Sequence, residues 1–175
     1  MPLETFAERV RLGARDRFVL WQSAFEFDVP SPVLRDERGR IPVFTSPEEA
    51  RAYATTHGLV LGSYPPGVDP TIDLDVIAAW AAHPNSVNLD CEAIVDVWRF
   101  LHHAELLPGM YDDDLDPALE RVAWQLDAEG LPRIDRQRFG HLAPAWTAEE
   151  LELLARTLLG AVEAFRGLLT SQDAV

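Results

Sequence analysis

Val33-Leu34-Arg35-Asp36-Glu37-Arg38-Gly39-Arg40-Ile41-Pro42-Val43-Phe44-Thr45-Ser46-Pro47-Glu48-Glu49 is the stretch from which the fold class can be read. Two apolar runs, Val33-Leu34 and Ile41 to Phe44, flank the turn-forming Asp36-Glu37-Arg38-Gly39 and predict a β-hairpin. Pro42 favours an edge position or an irregularity, because it has no N–H to donate to a ladder. Ser46-Pro47-Glu48-Glu49 then predicts a helix start: Ser46 caps, Pro47 suits the first helical position and Glu49 completes a capping box. Gly58 supplies the stop.

On the N-terminal side, Leu3, Phe6, Ala7 and Val10 recur at helical spacing and predict an opening amphipathic helix that ends near Gly13. Phe18-Val19-Leu20-Trp21 and the alternating Phe25-Glu26-Phe27-Asp28 read as strand, broken by Pro30 and Pro32. Leu59-Val60-Leu61 reads as a returning strand before the break at Pro65-Pro66-Gly67.

On the C-terminal side the pattern is helical over Leu74 to Ala82, Asp90 to about Glu105, Pro117 to Ala128 and Thr147 to Leu169. The last of these opens with a second capping box, Thr147-Ala148-Glu149-Glu150, and carries Leu151, Leu154, Ala155, Leu158, Val162 and Phe165 along one face as a core stripe. The expected class is therefore α+β: a mostly antiparallel N-terminal sheet with one or two helices, packed against a C-terminal group of about four helices. A single domain is expected over residues 1–170, strand-rich over 1–64 and helical over 70–170, with a loose tail at 171–175.

Composition removes several classes of chemistry. All 15 basic residues are arginine, so there is no Schiff-base lysine and no phosphate-loop lysine. A glycine-rich phosphate loop and a Gly-x-Ser-x-Gly elbow are also absent from the sequence. Cys91 is the single cysteine, which excludes an intramolecular disulfide and a multi-cysteine zinc site and points to a reducing compartment. No run has the length of a signal-peptide core or a membrane span, and the expectation is a soluble cytoplasmic protein.

The net charge of −14 is concentrated. Asp69 to Glu129 holds 14 acidic residues against Arg99 and Arg121, and so carries 12 of the 14 net negative charges. A field oriented in this way speeds encounter with a basic partner and repels nucleic acid and anionic membrane. Among its acids, Tyr111-Asp112-Asp113-Asp114-Leu115-Asp116 invites a calcium reading, but the EF-hand spacing fails. With Asp112 as the first ligand, Pro117 falls where the loop needs glycine and Ala123 where it needs glutamate. Asp116 reads instead as the cap of the helix that begins at Pro117.

His102 and His103 follow Glu92, Asp96 and Arg99 on one helix, but adjacent histidines project about 100° apart and do not readily share one ion. The expectation is one surface and one core-edge histidine, no metal and no cofactor. Cys91 is in register with Ile94, Val95, Trp98 and Leu101 and reads as a small buried residue. His57 and His141 have no partner set, and no nucleophile, base and orienter triplet can be assembled, so no catalytic residues are assigned. Trp124 falls off the Leu119, Val122, Ala123, Leu126 stripe and is expected at the domain edge, where aromatic anchors supply interface energy.

Two stretches resemble known proteins. Residues 33–58, with Val43-Phe44-Thr45-Ser46 and His57-Gly58, resemble the strand, turn and helix unit of SseB N-terminal-like domains. Residues 91–167, with Val97-Trp98, Leu131-Pro132 and Pro144-Ala145-Trp146-Thr147, are similar to small acidic actinobacterial toxin-immunity proteins. The match is not complete: the immunity pattern has Trp-Asn where this chain has Trp98-Arg99, and Asn-Leu-Pro where it has Gly130-Leu131-Pro132.

The resemblance implies stoichiometric inhibition of a basic toxin, for example a nuclease, by occlusion of its cleft. The partner-binding residues are then expected among Asp73, Asp75, Asp96, Tyr111, Asp112, Asp113, Asp114, Asp116, Glu120 and Trp124. The alternatives are an intracellular scaffold or regulator, and a metal-dependent hydrolase that uses His102 or His103 with the aspartate loop. Oligomeric state stays open.

Overall fold

The computed structural model describes residues 3–23, 32–64, 71–113, 115–130 and 146–170. The expectations for Phe25 to Pro30, Pro65-Pro66-Gly67, Asp69, Asp114, Leu131-Pro132, His141, Pro144-Ala145 and the tail lie outside those residues. The architecture is α+β, with a mixed three-stranded sheet at the N-terminal end and, among the described residues, five helices.

The opening segment is a strand, not the helix that its apolar spacing predicts. β1 (Glu4–Leu12) pairs antiparallel with β2 (Arg15–Ser23) from Glu4↔Ser23 to Leu12↔Arg15. The period that governs it is two: Phe6, Glu8, Val10 and Leu12 are all buried on one face. The connection Gly13-Ala14 has φ of +63° and +57°, the left-handed pair that a two-residue hairpin loop requires. Such a short loop locks the register and overrides the helical spacing of Leu3, Phe6, Ala7 and Val10.

The expected hairpin at 33–44 also forms differently. Its turn is present, closed by Asp36, whose Oδ1 accepts from the N–H groups of Arg38 at 2.8 Å and Arg40 at 2.9 Å. Its arms diverge. Val33 and Phe44 make antiparallel bridges to Trp21 and Phe18 of β2, while Ile41 bridges to Leu169. Both arms find a better partner than each other, because β2 offers an unpaired edge.

α1 (Pro47–Thr56) starts at the predicted cap, with Ser46 accepting from the Glu49 N–H. Glu49 reaches one residue further back than a capping box requires: its Oε2 accepts from Thr45 N at 2.9 Å and Thr45 Oγ1 at 2.7 Å. Ala50 and Ala54 of α1 pack on Phe18 and Leu20. β3 (Thr71–Asp73) has no signal of its own in the sequence; it pairs parallel with β1 from Arg9↔Thr71 to Arg11↔Asp73 and gives the order β2-β1-β3.

The helical half follows its sequence closely, as α2 (Asp75–Ala81), α3 (Cys91–His103), α4 (Pro117–Gly130) and α5 (Ala148–Leu168). Thr147 and Glu150 form the full capping box of α5. Val10, Leu12 and Val19 join the buried side chains of α2, α3, α4 and α5 in one core, in which Phe100 meets Phe165 edge-on at 5.2 Å. The sheet is thus covered by α1 on one face and by the C-terminal helices on the other. Among the described residues no helix is long and apolar enough to cross a membrane.

Asp75 joins the halves: its Oδ1 and Oδ2 accept from Gly13 N and Ala14 N, each at 2.7 Å. Asp75→Ala removes both bonds while leaving the N–H groups accessible to water, so the expected loss is about 1.5 kcal/mol, the low end for bonds to a charged group. A urea unfolding titration that shows no change would refute this role for Asp75.

Candidate functional site

The loop between α3 and α4 is built to hold its polar side chains outward. Trp98, fully buried on α3, donates from Nε1 to the Pro108 carbonyl at 3.0 Å, and Met110 and Leu115 are buried on either side of the exposed segment. Gly109 N donates to Asp112 Oδ2 at 2.6 Å. A Cβ at Gly109 would lie 2.5 Å from Asp112 Oδ1, so this close approach depends on glycine. Asp116 caps α4 by accepting from Ala118 N at 3.0 Å and Leu119 N at 3.4 Å, which sets the helix axis.

The result is a concave face of about 450 Å³ between this loop and the first turns of α4, lined by Tyr111, Asp112, Asp113, Glu120, Arg121 and Trp124 with Met110 and Pro117. Tyr111 is 71% exposed and Trp124 is 54% exposed. Trp124 is turned out by its place off the buried Val122, Ala123, Leu126 stripe. The one cation of the face, Arg121, is drawn to Glu150 Oε1 at 2.7 Å. Burial alone would push the Glu150 carboxyl up, but its bonds from Thr147, the Arg121 charge and a bond from Gln125 bring it below the usual range, so it stays ionised and holds Arg121.

Five of the ten sequence-derived residues therefore meet on one face: Tyr111, Asp112, Asp113, Glu120 and Trp124. Asp116 sits beneath it as a helix cap. Asp73 and Asp75 lie at the hairpin end of the sheet, where Asp73 pairs with Arg11 at 3.6 Å and accepts from Asp75 N. Asp96 lines a separate cleft, and Asp114 lies outside the described residues.

His102 and His103 keep their rings 5.7 Å apart but differ in their surroundings. His102 is exposed and its Nδ1 contacts the Leu107 carbonyl at 3.1 Å, whereas His103 stacks on Trp21 at 6.0 Å. Among the described residues no three His, Cys, Asp or Glu side chains are grouped to hold a metal ion.

The separate cleft, about 350 Å³, lies between the β1–β2 pair, Tyr64, the start of β3 and one side of α3. Its deepest polar group is Glu8, which is 7% exposed on the core face of β1. The Tyr64 hydroxyl donates to Glu8 Oε2 and accepts from Trp21 Nε1 at 2.9 Å. Phe6 packs on both rings, at 5.3 Å from Trp21 and 5.2 Å from Tyr64. Burial pushes the Glu8 carboxyl above the usual range; the bonds from Tyr64 and Trp21 oppose this, and the Asp96 charge adds to it. Burial likewise raises Asp96 and lowers His103, which keeps that imidazole neutral at pH 7.

Glu8, Trp21 and Tyr64 were missed in the sequence because a helical reading of residues 3–13 gives Glu8 no reason to be inside. The strand period Phe6-x-Glu8-x-Val10 is the signal that places it there.

The chain matches no protein-family model, no curated protein sequence and no solved structure.

The raised Glu8 carboxyl has a direct consequence for stability. At low pH, Glu8 is protonated in both folded and unfolded chains and costs nothing; as pH rises from the ordinary carboxylate value through the raised one, the unfolded chain ionises first and stability falls. Glu8→Gln removes this titration and keeps an acceptor for Tyr64. The difference in melting temperature between Glu8→Gln and wild type is expected to grow in favour of the variant across that window and then level off. A difference that does not change as pH rises above the ordinary carboxylate value would contradict it.

Proposed function

We propose that this protein is a non-catalytic inhibitor of a basic partner protein, in the manner of an immunity protein, and that it acts by laying the Tyr111–Trp124 face over the partner's active cleft. One observation carries the reading: two large aromatics stand exposed across a single concavity with Asp112, Asp113 and Glu120 around them. Half-exposed Trp and Tyr are the residues that most often supply interface energy once a partner excludes water from them. A carboxylate rim steers a positively charged surface into register and penalises neutral or acidic competitors.

The charge distribution supports the same direction of attraction, since Asp69 to Glu129 carries almost all of the net charge. A nuclease toxin fits this chemistry, because carboxylates can take the positions of substrate phosphates in a basic cleft. The resemblance of residues 33–58 and 91–167 to SseB-like and immunity proteins adds to the reading. On this proposal the protein works in the cytoplasm without cofactor or metal.

The test is affinity capture from native lysate at low and moderate salt, followed by calorimetry with the purified partner. A basic protein released by salt is expected. Trp124→Ala should weaken it at least about 30-fold, the scale of an aromatic hot spot. Asp113→Asn with Glu120→Gln should slow association and flatten the salt dependence, while melting temperatures stay close to wild type. Binding that ignores salt, or that survives both variants unchanged, would remove the proposal.

A further inference from the structure

We infer that the cleft between β1–β2 and α3 is a second, independent site that binds a small organic cation, an ammonium, amidinium or guanidinium carried on an aromatic or aliphatic body. At about 350 Å³ it has the size of a small-molecule pocket, and its walls are mainly apolar, with Val33, Ile72, Phe100 and the Trp21 indole. Two carboxyl groups, Glu8 and Asp96, face this apolar space.

Glu8 defines the ligand chemistry. The Tyr64 hydroxyl has one proton and gives it to Glu8 Oε2, while Trp21 Nε1–H occupies an acceptor site on that hydroxyl. The carboxyl is therefore fixed in direction by a chain of neutral donors. Among the described residues no arginine or histidine pairs with it, and the charge that acts on it is that of Asp96, of the same sign. A buried carboxylate held by neutral donors lacks the cation that would offset its desolvation.

The cations that face the cleft do not supply it. Arg99 leans to Asp96 at 4.0 Å on its own helix. His103 is kept neutral by burial and stacks on Trp21. An incoming organic cation would meet Glu8 while its body covers Trp21 and Phe100, where ring faces add cation–π attraction. An anion would meet two carboxyl groups, and a metal ion would find no third carboxylate, imidazole or thiolate grouped with them among the described residues. The phenolic ring of Tyr64 is braced by Phe6, so the polar end of the cleft is rigid before any ligand arrives.

Benzamidinium and benzamide have nearly the same shape and differ in charge, which makes them the appropriate probes. Thermal-shift and calorimetric titrations with wild type are expected to show benzamidinium binding at least about tenfold tighter than benzamide. Glu8→Gln, which keeps the acceptor for Tyr64, should lose that preference, and Asp96→Asn should weaken it by a smaller factor. Trp124→Ala, on the other face, should bind benzamidinium as wild type does, because the two concavities share no lining residue.

Equal binding of both probes would show an apolar cleft without charge selection and overturn the inference. So would binding of neither at millimolar concentration, or an unchanged preference in Glu8→Gln. None of these outcomes bears on the partner-binding proposal, which depends on Tyr111 and Trp124.

Discussion

β1 is bonded on both edges and buried along the face it turns to the helices, and every layer of the molecule takes its position from that strand. β2 pairs with it along its whole length, β3 pairs with its C-terminal part, and Leu61 bridges to Thr5 nearer its start. Of its even-numbered side chains, Val10 and Leu12 join the helical core and Phe6 packs on Trp21 and Tyr64, while Ala7 leaves room for the alanine face of α1. A strand in this position can vary little, since a slip of one residue would exchange its two faces. The two-residue Gly13-Ala14 loop and its double bond to Asp75 fix that register from one end. Glu8 is the exception on the core face. A carboxyl there is destabilising unless something compensates, and Tyr64 and Trp21 compensate only in part. Residues that cost stability in an otherwise consistent strand are where function is most reasonably sought.

α3 separates the two concave surfaces. Asp96, Arg99, Phe100 and His103 look toward the sheet and form a wall of the Glu8 cleft. Trp98 turns the other way and holds the loop at Pro108, from which Tyr111, Asp112 and Asp113 project. A buried indole whose N–H is satisfied by a loop carbonyl ties the start of that loop to the helix. The acidic aromatic face is therefore pre-organised on a core residue, and binding there need not order a flexible segment first. Because the two surfaces stand on opposite sides of one rigid helix, each can be altered without repacking the other.

The helical half was legible because its signals are local. Ser46, Asp90, Asp116 and Thr147 each cap the helix whose first residues they precede, and a side-chain oxygen within three residues of a free N–H needs no tertiary context. Trp124 was legible for a related reason, since a residue off a buried stripe has few places to go but outward. The sheet half was less legible, because its decisive facts are non-local. Leu3, Phe6, Ala7 and Val10 satisfy helical spacing as well as Phe6, Glu8, Val10 and Leu12 satisfy strand spacing, and only the pairing with β2 decides between them. The arms of the 33–44 turn divide between β2 and the end of α5, neither of which the segment itself encodes. β3 is three residues long and has its meaning only beside Arg9 to Arg11. The Glu8 cleft joins residues from β1, β2, Tyr64 and α3, so no window of sequence contains it.

The charge asymmetry has to be divided before it explains recognition. Asp73, Asp75, Asp90 and Asp116 accept backbone N–H groups at chain reversals and helix starts, and they would be needed there with no partner in view. Their charges still contribute to the long-range field, which depends on position and not on hydrogen bonding, while at least one oxygen of each is already engaged by the chain's own backbone. The acids whose side chains rim a concavity beside exposed aromatic surface are Asp112, Asp113 and Glu120, and of these Asp112 uses one oxygen on Gly109. A sequence count thus does not distinguish acids that rim a concavity from acids that cap helices and turns. On the proposed function, attraction at a distance would belong to the whole acidic segment, and the fit at contact to the few side chains around Tyr111 and Trp124.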